Sequence, residues 1–171
     1  MDTSPHWSVV RELVEEHALD RSIVAITVFG SLASGTERPD SDVDIEFFSS
    51  TASEWSIEEY PHSGLVVDAE TTPLAFFEHK IEQYPFLCYA HFRSIPVFDP
   101  SGYFNRKHGA IGRYFGERPD VVAFWEERYQ VMRREKAQGI KNPQGGVEAY
   151  DEAERRFSAQ GRVTRDFWRS V

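Results

Sequence analysis

Asp42 and Asp44 stand one residue apart in an apolar-flanked run, with ten residues between Asp42 and the turn Phe29-Gly30-Ser31. Side chains alternate along a strand, so Asp42, Asp44 and Glu46 would share one face and Val43, Ile45 and Phe47 the other. Carboxylates held that close raise one another's pKa unless a cation neutralises them. A set of few carboxylates completed by phosphate oxygens suits magnesium, with manganese as a substitute, and this is the expected cofactor. The glycine-serine turn adds what an anion needs. A helix opening there presents free backbone N–H groups, and Ser31 is expected at its N-cap with a hydroxyl for a phosphate oxygen. Glu46 is expected to be a solvated neighbour on the same face. An Asp-x-Asp alone is commonly a solvated strand edge, and Gly-Ser after a strand commonly a loop. Their coincidence at this spacing carries the reading.

The elements that must hold these residues can be read from periodicity. Residues 23–29 form a β-branched and aromatic run typical of a buried strand, broken by Gly30 and Ser31. A second strand is expected over residues 42–48 and a third over 65–71, where Asp68 and Glu70 share one face and Leu65, Val67 and Ala69 the other. A helix over residues 8–19 precedes the first strand, and the polar segment 49–63 is expected to hold a helical turn at 55–59. Pro73 starts a helix to residue 83, Pro85 another to 93, and 95–98 reads as a short fourth strand closed by the turn Asp99-Pro100-Ser101-Gly102. Helices then follow over 103–115, 119–137 and 147–160, with a Gly- and Pro-rich loop at 139–146. Val122, Trp125, Tyr129 and Met132 recur at three- and four-residue steps, which makes them a core seam.

Phe29-Gly30-Ser31, ten intervening residues and Asp42-Val43-Asp44-Ile45 resemble the motif of the nucleotidyltransferase superfamily of the DNA polymerase β type. The resemblance covers residues 22–100 and is most specific at this first motif. It implies an α/β (α+β) fold, a small mixed sheet with helices on one face and a C-terminal helical extension. It also implies a third carboxylate on a neighbouring strand, for which Asp68 fits better than Glu70 because it follows an apolar pair and precedes the helix begun at Pro73. Asp42, Asp44 and Asp68 are then the catalytic and metal-holding acids, and Gly30, Ser31 and Arg38 the nucleotide-binding residues. Arg38 enters through a departure from the pattern. Small members of the family carry arginine before the second glycine of the turn, where this chain has Ser34, so Arg38 is the nearest substitute and Arg93 the next. The implied division is a catalytic domain over residues 1–102 and an extension over 103–171 packed on it.

The activity implied is magnesium-dependent transfer of a nucleoside monophosphate, AMP from ATP being the expected case, to a hydroxyl of a small molecule or protein. The alternatives are an antitoxin-type partner that binds or AMPylates a cognate toxin, and a degenerate module that binds nucleotide without turnover. Composition narrows the acceptor. The chain of 171 residues has 19 basic against 28 acidic side chains, a net charge of −9 that opposes contact with a nucleic-acid backbone. Its basic clusters, Arg133-Arg134 and Arg155-Arg156, are interleaved with glutamates. A nucleic-acid end is therefore not expected as acceptor, whereas a protein partner is compatible with the charge. No apolar stretch approaches the roughly 20 residues of a membrane span and no basic-then-apolar leader opens the chain, so a cytoplasmic location without membrane contact is expected. The single cysteine, Cys88, permits no internal disulfide, and the six histidines show no metal-ligand spacing.

Overall fold

A computed structural model describes residues 4–140 and 144–158. Its centre is a five-stranded mixed sheet with the spatial order β3-β4-β2-β1-β5, formed by β1 (Ile23–Val28), β2 (Val43–Ser49), β3 (Ser56–His62), β4 (Leu65–Pro73) and β5 (Ile95–Phe98). β2 and β4 run parallel, and every other pairing is antiparallel. The α+β class and mixed sheet agree with the sequence reading.

Helix α1 (Pro5–His17) covers one face of the sheet. It opens three residues earlier than expected because Ser4 caps it, accepting from the Trp7 N–H at 3.4 Å, and Pro5 takes the first helical position. Val9, Val10 and Leu13 then meet Ile26, Val28, Val43, Ile45, Phe47 and Val67 in one buried cluster. This is the apolar half of the alternation in β2 and β4.

The other face carries a second cluster built around Phe48 and Ala25. Phe77 of α3 (Leu74–Gln83), Tyr89 of α4 (Tyr89–Arg93), Phe104 and Phe115 of α5 (Tyr103–Glu117) and Trp125 of α6 (Pro119–Ala137) pack into it. So do Ala149 and Ala153 of α7 (Gln144–Phe157). The Phe48 ring lies 4.6 Å from that of Phe77 and 5.2 Å from that of Phe104, and truncating so buried an aromatic costs about 3–5 kcal/mol. Trp125, Val122 and Tyr129 belong to this cluster, as a core seam requires, while Met132, expected with them, is half-buried outside it. The acidic face is therefore not bare. Helices cover its inner part and leave its outer end, where β2 begins, to the short α2 (Gly30–Ala33).

Three segments differ from the sequence reading. Of residues 55–59, expected as a helical turn, 56–59 belong to the edge strand β3 and Trp55 just precedes it; β3 is joined to β4 by a two-residue turn in which Ser63 (φ 48°) and Gly64 (φ 85°) are both left-handed. β3 keeps Glu58, Glu59 and Pro61 on its open edge, which discourages further strand pairing. The run beginning at Pro85 is a 3-10 turn (Pro85–Leu87) followed by α4, not one helix. α7 starts at Gln144, inside the segment read as a loop, and the expected helical residues 159–160 lie outside the described residues.

Candidate active site

Parallel pairing of β2 with β4 sets Asp44 directly beside Asp68, and Glu46 directly beside Glu70. Neighbouring strands lie about 4.8 Å apart and alternate residues about 6.6 Å, so the two pairs form consecutive rungs on one face. Asp42 immediately precedes β2 and continues the same alternation outward. Of the expected acids, Asp42, Asp44 and Asp68 thus come to one end of one face.

Gly30 and Asp44 fit against each other. Phe29 donates its N–H to the Asp44 carbonyl at 3.1 Å, which brings the start of α2 onto the strand. Gly30 has φ +64°, and a Cβ built on it would stand 1.9 Å from Asp44 Oδ2. Only glycine fits there, on both backbone and steric grounds. Ser31 is not the N-cap. Phe29 occupies that position with no side-chain cap, because α2 starts at Gly30 itself, and the Ser31 backbone donates to the Asp44 carboxylate. Ser34 turns its hydroxyl inward, donating to the Gly30 carbonyl at 2.8 Å and lying 3.1 Å from the Thr36 hydroxyl. Arg38 is brought only to the neighbourhood: its side chain is 64% exposed and held by Asp40 at 3.2 Å. Arg93, also exposed, ends α4.

The outer acids carry an electrostatic load. Burial, opposed by Lys136 and reinforced by Asp68 and Asp42, pushes the Asp44 carboxyl up to about 6. Burial, with Glu59 across the hairpin and Asp42, also raises Asp68, again against Lys136. The inner rung is different. Glu46, read from sequence as solvated, is only 4% exposed; the Thr72 hydroxyl donates to it at 2.7 Å and His91 Nε2 lies 3.2 Å away. Burial would raise its pKa, but the His91 charge and these hydrogen bonds outweigh it and hold the carboxyl below its ordinary range. Its neighbour Glu70 accepts from Trp55 Nε1 at 3.3 Å, and burial together with Glu46 pushes it up to about 7.

Sequence reasoning missed Lys136, Glu46 with its partners, and Glu59. A signal existed for Glu46, since strand alternation put it on the acid face, but α4 had to be known to bring His91 there. Lys136 lies at the far end of α6, and only the packing of that helix against α4 and the turn before it discloses it.

The donor set can be tested against a divalent metal. Among the described residues, no three His, Cys, Asp or Glu side chains are drawn into a ready cage. Magnesium does not require one, since it binds through one or two carboxylates with waters and substrate phosphates. Hard carboxylate oxygens that raise one another's pKa, with Gly30 leaving Asp44 Oδ2 room, fit such an ion.

Fold and motif together define an α+β domain whose mixed sheet carries an aspartate pair behind a glycine-serine turn. Residues 11–82, which contain Gly30, Asp42, Asp44 and Asp68, match the family model described as Polymerase beta, Nucleotidyltransferase. The crystal structure of a nucleotidyltransferase-like protein from Exiguobacterium sibiricum 255-15 is 15% identical, with a TM-score of 0.49 over 85% of this chain and 53% of that one. The chain spans about half the length of that structure. Comparison with curated proteins gave no match. Among the described residues, no helix is long and apolar enough to cross a membrane.

Proposed function

We propose that the protein transfers a nucleoside monophosphate, AMP from ATP in the first instance, to a hydroxyl of a small molecule or a protein side chain in the cytoplasm. The observation that carries this reading is the register of β2 on β4, which pairs Asp44 with Asp68 while Gly30 closes against Asp44. Asp42, Asp44 and Asp68 would hold magnesium or manganese. When bound, the ion supplies positive charge to the triphosphate and to the oxygens that gain charge in the transfer.

The residues themselves would do the following. The turn at Gly30 and Ser31 lets the triphosphate approach the backbone closely, and Arg38 flanks it from the loop before β2. The acceptor oxygen attacks the α-phosphorus, forming a new P–O bond as the bond to the bridging oxygen breaks and pyrophosphate leaves. Asp68 would either complete the hold on the ion or, where Asp42 and Asp44 hold it, take the hydroxyl proton. Its raised pKa makes it a better proton acceptor than an unperturbed aspartate. The division between a catalytic domain at 1–102 and an extension from 103 belongs to this proposal, as does the exclusion of nucleic-acid ends as acceptors.

Incubating the protein with ATP, magnesium and a cell extract, followed by mass spectrometry of small molecules and proteins, tests the reading. A product carrying an added AMP, absent with the Asp44→Asn variant, is expected. Turnover of no nucleoside triphosphate, across all four bases, contradicts it.

A further inference from the structure

The glycine-serine turn carries no positive charge, although a triphosphate brought to it has several negative charges to balance. Ser34 spends its hydroxyl on the Gly30 carbonyl, and Arg38 is exposed and held by Asp40. The cation whose field reaches the acids beside this turn lies on α6. Trp125 of α6 is 3% exposed and donates to the Phe86 carbonyl at 2.7 Å, while the Tyr129 ring lies 5.6 Å from that of Tyr89 on α4. These contacts define the face of α6 that meets the body of the protein. Lys136 is seven residues beyond Tyr129, so it leaves the helix within about 20° of the same direction and about 10 Å further along the axis. Tyr129 and Lys136 are both within electrostatic reach of Asp44, and Lys136 is also within reach of Asp68. The lysine is exposed at its position near the end of α6.

We infer that Lys136 is the polyphosphate-binding cation of this site, taking the place of the charge that the turn at Ser34 lacks. It rests on the nucleotidyltransferase reading above. Without ligand the Lys136 charge offsets those of Asp44 and Asp68. When a metal-bound triphosphate arrives, the metal neutralises the carboxylates and the ammonium group turns to the non-bridging phosphate oxygens. A flexible lysine suits such a shift, because its ammonium is a compact point charge on a four-carbon stem.

Two opposite effects on binding follow from one substitution. Lys136→Met should weaken binding of magnesium tripolyphosphate at least tenfold by titration calorimetry. The same variant should bind manganese alone as tightly as the parent or tighter, because a competing cation has gone from beside Asp44 and Asp68. Lys136→Arg should restore most of the tripolyphosphate affinity. Parent-like tripolyphosphate binding by Lys136→Met would overturn the inference while leaving the nucleotidyltransferase reading intact. Equal weakening of manganese and tripolyphosphate would also overturn it, as a sign of general damage to the site. A parent protein that binds no tripolyphosphate with magnesium would overturn the underlying reading, and the inference with it.

Discussion

Two carboxylate pairs sit on consecutive rungs of the same two strands, yet they live in opposite circumstances. The inner pair, Glu46 with Glu70, is roofed by helices and supplied with partners: Thr72 and His91 for one, Trp55 for the other. The outer pair, Asp44 with Asp68, has Asp42 and Glu59 adding to its charge, and Lys136 to offset it. Within the inner pair Glu46 is balanced by hydrogen bonds and His91, and Glu70 beside it is pushed up to about 7 by burial and by the Glu46 charge, so that one of the two carboxyls readily keeps its proton. On the function proposed above, the outer pair is the one that takes a ligand cation, because Asp42 adds a third carboxylate at that end of the face. One step of strand register separates the two roles.

The largest effect should come from the outer rung. Asp44→Asn is expected to lower transfer by at least about 10³-fold, since it removes a charge central to the site. Without metal, the same variant should be no less stable than the parent. A carboxyl raised from 3.8 to about 6 costs the folded state on the order of 3 kcal/mol when ionised, and asparagine removes that cost. A marked fall in the thermal midpoint of metal-free Asp44→Asn would place Asp44 with the inner, structural pair. Asp68→Asn should approach it in lost activity and Glu70→Gln should be far milder; the reverse order would exchange their roles.

The inner rung should answer in stability instead. His91→Ala takes from buried Glu46 its hydrogen-bonded partner, leaving only Lys80 to offset the charge, and should cost about 3–5 kcal/mol in urea unfolding. Adding Glu46→Gln to that variant removes the stranded charge and should recover part of the loss. A double variant less stable than His91→Ala alone would mean that the pair is not the source of the cost.

Much of this contrast was legible in the sequence and part was not, for identifiable reasons. Gly30, Asp42, Asp44 and β1, β2 and β4 were readable because turn chemistry and strand alternation are local. The edge strand β3 escaped because nearly every residue from Ser56 to Pro61 is exposed, so no buried face marks it by alternation, and Pro61 argues against a strand. Glu46 was misread because its partner His91 is 45 residues away, on a helix whose docking is a tertiary fact. The same holds for Lys136, which the local pattern of α6 presents only as one of several charged residues near its end.

A smaller, graded effect should follow pH. Asp44 has its folded-state pKa above its ordinary value, so the metal-free protein gains stability as pH falls through about 6 and has the full gain below about 4; the gain is lost as pH rises back through 6. Metal binding requires the ionised carboxylate and should weaken over that same window. Manganese titrations at pH 5 and pH 7 check this, and unchanged affinity would remove Asp44 from the ligand set.

The central claim is that the outer rung accepts a polyphosphate only together with a divalent ion. Titration calorimetry with a non-hydrolysable ATP analogue tests it most directly, in magnesium and in excess chelator, for the parent and for Asp44→Asn. The account predicts binding by the parent in magnesium and none in the other three conditions. Equal affinity with chelator, or undiminished binding by Asp44→Asn, would contradict it.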